Sequence, residues 1–296
     1  MDPKTAFCRN LACPARGQTG QGNLGLHARK DKRFLCRQCG KTCTVTTGPV
    51  CSRLRTAADT VVLVVTWLAH GCPPHAIGAA VGVDERTVAE WLARAGRQGQ
   101  AVHELLVEPP RDLGQVQADE IRVNKQGGMV WMALAMMVRT RVWRAGELSA
   151  HRDMTRIRRL IERVCRGAAP RPLLGCRDGL SASGGAIPKT CRDPVRTGAR
   201  GRPRLRSWKN VCLAQVVTRY VPRRVVDVER RIVDGTPARV ETLRRRSPGP
   251  GVINTAAIER LNATVRERWA VLTRRGRALA RRPLTRHHGM DLVGTV

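Results

Sequence analysis

The chain has 296 residues, enough to bury a substantial core and to form two or three small domains. Its 54 Lys and Arg against 23 Asp and Glu give a formal net charge of +31, a self-repulsion tolerable when the partner is a polyanion, of which nucleic acid is the commonest. The excess is mostly Arg and runs along the whole chain, which disfavours an acidic membrane surface, and a 3% aromatic content argues against single-strand stacking platforms and for contact with duplex backbone and grooves.

The first residues, MDPKTAFCRN, lack the basic and apolar stretches of a signal peptide, and the longest apolar run, Val61 to Ala69, is too short to span a bilayer. The expected location is cytoplasmic. Eleven cysteines in a reducing compartment point to metal binding rather than disulfides. Residues 1–52 read as a zinc module. Cys8 and Cys13 form one pair, and Cys36 and Cys39, followed by Gly40, form a second with the spacing of a zinc knuckle. His27 is an alternative fourth ligand. The remaining cysteines lack paired spacing and read as small core residues.

Residues 53–108 are helical in pattern. A helix from Ala57 to Ala69 ends near Gly71. A second runs from His75 to Val81 and is broken by Gly82. Asp84 caps a third, from about Glu85 to Ala95, with Val88, Trp91 and Leu92 inward. This is the pattern of a helix-turn-helix, whose exposed Glu85, Arg86, Thr87 and Glu90 are candidates for the major groove; the alternative is a helical hairpin used for packing. Pro109-Pro110 marks the boundary to a third region, 111–296.

There, Gln115 to Ile121 reads as a strand carrying Asp119 and Glu120. Met129 to Val138 and Val142 to Leu148 are further strands, and Asp153 to Cys165 is a helix. Pro172 to Cys176 is a short buried strand ending in Arg177-Asp178-Gly179. An acid at the carboxyl end of a buried strand is a common place for an α/β active site. Farther on, Asn254 or Thr255 caps a helix with Ile258, Leu261, Val265 and Trp269 as its buried stripe and Glu259 on the stripe's edge. Between these segments, Arg200-Gly201-Arg202-Pro203-Arg204 is either a solvated basic loop or an extended arm for a narrow minor groove.

"VQADEI", the "DG" after a strand, "INTAAIERLNATVRERWAVLTRRGRALAR" and the amino-terminal "GNLGLHARKDKRFLCRQCGKT" together resemble the transposases of the insertion-sequence-one type. The resemblance covers most of residues 5–295. It implies an α/β catalytic domain with a ribonuclease-H-like mixed sheet and flanking helices, preceded by the zinc module and the all-α helix-turn-helix. It implies a DDE triad at Asp119, Asp178 and Glu259, with Glu120 as a less favoured neighbour of Asp119 because adjacent strand residues point to opposite faces. It further implies double-stranded DNA as partner, both element ends and target, with Arg260 and Arg266 on the backbone, a homo-oligomer on DNA, and a place with the nucleoid of a bacterial cell. The chemistry suits these residues: phosphodiester cleavage needs an activated nucleophile and a stabilised leaving oxygen, which two Mg²⁺ or Mn²⁺ ions roughly 4 Å apart supply, and such hard cations prefer carboxylate oxygens. Two departures stand out. Leu180-Ser181-Ala182-Ser183 replaces the aromatic residue that often follows Asp-Gly in that family. Asp291 stands where an aromatic is expected, and the family's tail rich in Tyr, Phe and His would begin where this sequence stops, so the copy reads as shortened there. The rival reading from another class is a catalytically inactive, sequence-specific DNA-binding regulator.

Overall fold

The protein is described from a computed structural model, which covers residues 6–10, 12–30, 32–44, 50–125, 128–169, 171–178, 190–195, 203–208, 210–222, 224–248, 251–269 and 283–295. The amino-terminal segment is a three-stranded antiparallel sheet, β1 (Leu24–Ala28), β2 (Arg33–Cys36) and β3 (Thr42–Thr44), in that order. Phe34 fills its small core with the cysteines around it.

Three helices follow: α1 (Ala58–Ala69), α2 (Pro74–Val81) and α3 (Glu85–Leu106). Gly82 closes α2 in the left-handed conformation, φ 72°, and Asp84 caps α3 by accepting the Arg86 amide at 2.7 Å. Val61, Val64, Leu68, Ile77, Val88, Trp91 and Leu92 form one shared core. The third helix is much longer than the expected 85–95. It continues through Gly96 and Gly99, which sequence logic treats as weak helix positions, because both are pressed against a later helix and have no room for a side chain.

The main body is a six-stranded mixed sheet in the order β11-β10-β7-β4-β5-β6. Its strands are β4 (Gln115–Lys125), β5 (Gly128–Met137), β6 (Trp143–Ser149), β7 (Leu173–Asp178), β10 (Val211–Val221) and β11 (Arg224–Asp234). The first three form an antiparallel meander; β7 joins β4 in parallel, β10 joins β7 in parallel, and β11 folds back antiparallel as the edge. Helix α4 (Met154–Arg166), capped by Asp153 on the Arg156 amide, buries Leu160 and Val164 against Val116, Ala133, Ala135 and Leu173 on one face. The other face is covered by α5 (Pro237–Arg245) over β7 and β10 and by α6 (Ala256–Arg268) over β4 and β5.

The long hairpin of β10 and β11 lies between Asp178 and Glu259, where no strand was expected. So does a separate two-stranded sheet, β8 (Arg192–Val195) with β9 (Arg204–Ser207). Helix α7 (Pro283–Thr295) is a seam. Its Met290 and Val293 join the sheet's core, while its Leu292 joins the core of α1 to α3. No helix among the described residues is long and apolar enough to cross a membrane.

Candidate functional site

Among the described residues the fold gathers one group of side chains with metal-ligand spacing and, separately, sets two acids within electrostatic reach of Asp119. In that group, the sulfur atoms of Cys8, Cys13, Cys36 and Cys39 all lie within 4.8 Å of one another. Cys8 and Cys39 are 3.7 Å apart and Cys13 and Cys36 3.8 Å. Zinc–sulfur bonds of about 2.3 Å arranged tetrahedrally place sulfurs about 3.8 Å apart, so the group could hold a metal such as zinc. Local backbone makes this spacing: Gly40, at φ 66°, returns its amide to the Cys36 carbonyl at 2.9 Å, and the Cys36 amide donates to the Lys41 carbonyl at 3.0 Å. Burial pushes the Cys8 thiol up to about 12 and raises that of Cys13, whereas a hydrogen bond from the Lys41 backbone holds Cys39 down at about 6. Cys39 is therefore the thiol of the four that the backbone favours most as thiolate. His27, on β1, is exposed and does not belong to the cluster.

The acids sit on the α6 face of the sheet. Parallel pairing sets Ala118 opposite Arg177, so one residue farther along each strand Asp119 and Asp178 stand side by side on neighbouring strands, facing the same way. Asp178 is the last residue of β7 rather than lying just beyond it. Glu259 comes from the first turn of α6, where its Oε1 accepts the Thr255 hydroxyl at 2.6 Å. Burial pushes the Asp119 carboxyl up to about 7, and the charges of Asp178 and Glu259 push in the same direction; Arg266 and a hydrogen bond from Asn262 oppose them. Asp119 is thus within electrostatic reach of both other acids, although no group of acids among the described residues brings its ligand atoms as close together as the four cysteines do. The acids' surplus negative charge is what a divalent cation would neutralise.

Asn262 and Gln117 are site residues that sequence reading missed. The Asn262 amide donates to Asp119 Oδ2 at 2.6 Å, and its own Oδ1 is buried without a hydrogen-bond partner. That orphan acceptor beside Asp119 fits a cation or a bound water. Gln117 is buried two positions before Asp119. Its Nε2 donates to the Asn254 carbonyl at 2.7 Å, and its Oε1 accepts the Ile258 amide at 2.9 Å. The available signal was a pair of polar residues at inward positions, Gln117 on a strand and Asn262 on an apolar helix stripe.

Glu120 points to the α4 side instead. Arg152 binds it at 2.8 Å, and buried Arg156 closes on its other oxygen. It is spoken for by two guanidinium groups and lies on the wrong face to join Asp119. Arg260 is exposed on α6, and Arg266, half-buried on the same helix, acts on Asp119.

On α3, Glu85 and Arg86 are exposed and Thr87 is half-buried. Glu90 is exposed but tied to Arg94 at 2.8 Å, and Arg94 also reaches the Ser52 carbonyl at 2.8 Å. Arg204 opens β9 and is paired within the small sheet, opposite Val195, so it is not part of a free extended arm; Arg200 and Arg202 lie outside the described residues. No family model and no curated protein matches this chain.

Proposed function

We propose that the chain is a DDE-type DNA transposase that cuts and joins DNA strands with the aid of divalent metal. The observation that carries this reading is that Asp119, on β4, feels the charges of Asp178, the last residue of the neighbouring parallel strand, and of Glu259 on α6, acids brought from segments separated by 59 and 81 positions in a chain poor in acids. The mixed sheet supports a ribonuclease-H-like assignment: an antiparallel meander continued by parallel strands, with the first acid on the central strand β4 and the second on its parallel neighbour. The three carboxylates would hold Mg²⁺ or Mn²⁺, which activates a water or 3′-hydroxyl and stabilises the leaving oxygen. Around them, Asn262 orients Asp119, Thr255 orients Glu259, and Arg260 and Arg266 offer cations to the phosphate backbone. The Cys8, Cys13, Cys36 and Cys39 group would hold zinc. The three-helix unit would read duplex DNA with the start of α3, through Glu85, Arg86 and Thr87.

The test uses purified full-length protein and a duplex carrying the sequences that flank its gene. Strand cleavage with Mg²⁺ or Mn²⁺ is expected, abolished in Asp119→Asn, Asp178→Asn and Glu259→Gln, with duplex binding retained in all three. Binding should weaken steeply with salt, as counterion release requires. A wild-type protein that binds this duplex but never cuts it would overturn the enzymatic reading in favour of the DNA-binding regulator.

A further inference from the structure

The outer edge of the main sheet is unusual for so basic a chain. Strand β11 pairs with β10 on one side and has no strand partner on the other among the described residues. Every residue from Arg224 to Asp234 is exposed except half-buried Glu229, and the exposed set includes Val225, Val226, Val228, Ile232 and Val233. A long edge with this much apolar surface is a template for another strand. Its charges balance: Arg224, Arg230 and Arg231 against Asp227, Glu229 and Asp234 give zero, in a molecule of +31. Two copies can approach here without the repulsion they meet elsewhere.

The order of the charges is self-complementary. Two identical strands lying antiparallel in one continuous sheet are related by a twofold axis normal to that sheet. Such an axis keeps each side chain on its own face, and faces alternate along a strand, so only residues of like parity can oppose each other. The axis must therefore pass through a residue. Through Glu229, it sets Asp227 against the partner's Arg231 and Val228 against the partner's Arg230 in the regular stretch, and, allowing for the slips at Val226 and Val233, keeps Arg224 level with the partner's Asp234 and Val225 level with the partner's Ile232. One residue earlier, Asp227 would oppose Glu229. One residue later, Arg230 would oppose itself, and the opposed charges in the regular stretch would be Glu229 with Arg231 while Asp227 loses its partner. The like pair at the axis is already compensated, because each Glu229 binds Arg231 of its own chain, Oε2 to guanidinium at 2.6 Å. Register with β10 slips near Val226 and Val233 and is regular from Asp227 to Ile232, so the two symmetry-related Asp227–Arg231 pairs lie in the flat part of the edge and fix the alignment.

We propose that β11 is a dimerisation edge, joining two copies of this chain antiparallel about Glu229 into one continuous sheet. This does not rest on the catalytic reading. Sedimentation of the full chain without DNA tests it. The wild type is expected to dimerise. Asp227→Arg and Arg231→Asp should each raise the dimer dissociation constant at least about tenfold, since each turns two opposed pairs into like charges. An equimolar mixture of the two variants should recover wild-type association, because each supplies the charge the other needs, and a misfolded variant could not be rescued this way. The double substitution in one chain should also recover it. A monomeric wild type, a dimer unaffected by either substitution, or single variants that fail to rescue each other would overturn the proposal.

Discussion

Gln117 holds the backbone amide of Ile258 at 2.9 Å, so a side chain two positions before Asp119 fixes the helix position immediately before Glu259. Strand β4 thereby sets both the location of one acid and the height of the helix that carries another. Replacing Gln117 with Leu leaves the Ile258 amide and the Asn254 carbonyl without these partners, a cost of about 1–3 kcal/mol for the orphaned groups. The expected outcome is a lower unfolding midpoint in denaturant together with a larger loss of metal-dependent cleavage than the stability change accounts for. Cleavage unchanged in a fully folded Gln117→Leu variant would show that this clamp has no bearing on the site.

Asp119 gives the metal-free protein a pH dependence of definite sign. Its carboxyl is raised to about 7, chiefly by burial, so the folded state holds a proton that the unfolded chain releases nearer pH 4. The folded state binds more protons across that window, and stability falls as pH rises through it. With allowance for solvent screening, Asp119→Asn should stabilise the metal-free protein at pH 8 by on the order of 1–2 kcal/mol and have no such effect at pH 4. Added Mg²⁺ should reverse the ranking at pH 8 by stabilising the wild type alone. Thermal melts at the two pH values check both points.

Removing metal from the cysteine cluster should act locally. The amino-terminal sheet has little core beyond Phe34 and the cysteines, so a strong chelator is expected to unfold residues 6–44 while the main melting transition persists. Burial keeps Cys8 and Cys13 protonated without metal, so zinc uptake should release protons and weaken as pH falls. Metal analysis that finds no zinc in protein purified with zinc present would contradict the assignment.

Gly96 tests the packing of α3 on α7. In an isolated helix, Ala in place of Gly stabilises by up to about 1 kcal/mol. Here a Cβ on Gly96 would stand 2.5 Å from the His288 Cα, and one on Gly99 would stand 2.9 Å from the Asp291 carbonyl oxygen. Backbone cannot yield as a side-chain tip can, so overpacking of about 1–3 kcal/mol should win. Gly96→Ala is expected to lower the melting temperature; a rise would mean the two helices are not held together in solution.

Much of this arrangement was legible because its signals are local. Alternation and apolar runs mark β4 to β7, the Asp153 and Asp84 caps mark the starts of α4 and α3, and an acid at the end of a short buried strand picks out Asp178, whereas Asp119 lies within its strand and was singled out by the family resemblance. What escaped depends on contacts between distant segments. Gly96 and Gly99 look like weak points in a helix until α7 lies against them. Gln117 and Asn262 look like stray polar residues until each finds its partner across the sheet–helix interface. The β10–β11 hairpin escaped although β10 is apolar and largely buried, because β11 mixes its valines with six charges and shows neither clean alternation nor an apolar run. The basic run at 200–204 left a solvated loop and an extended arm equally open; Arg204 pairs with Val195 in the small sheet, and residues 200–202 lie outside the described residues.

The α3–α7 packing continues onto the sheet. His103 of α3 bonds the Arg144 carbonyl at 3.0 Å, its ring lies 4.6 Å from that of Trp143, and Gly294 of α7 abuts the same Trp143. The helix proposed to read bases and the sheet proposed to cut the backbone therefore form a calliper with locked jaws. The number of base pairs between the recognised sequence and the broken bond would be measured by protein geometry, not by the slack of a tether. Inserting one base pair between them should not be absorbed by stretching: the cut should move with the recognised sequence, by one base pair.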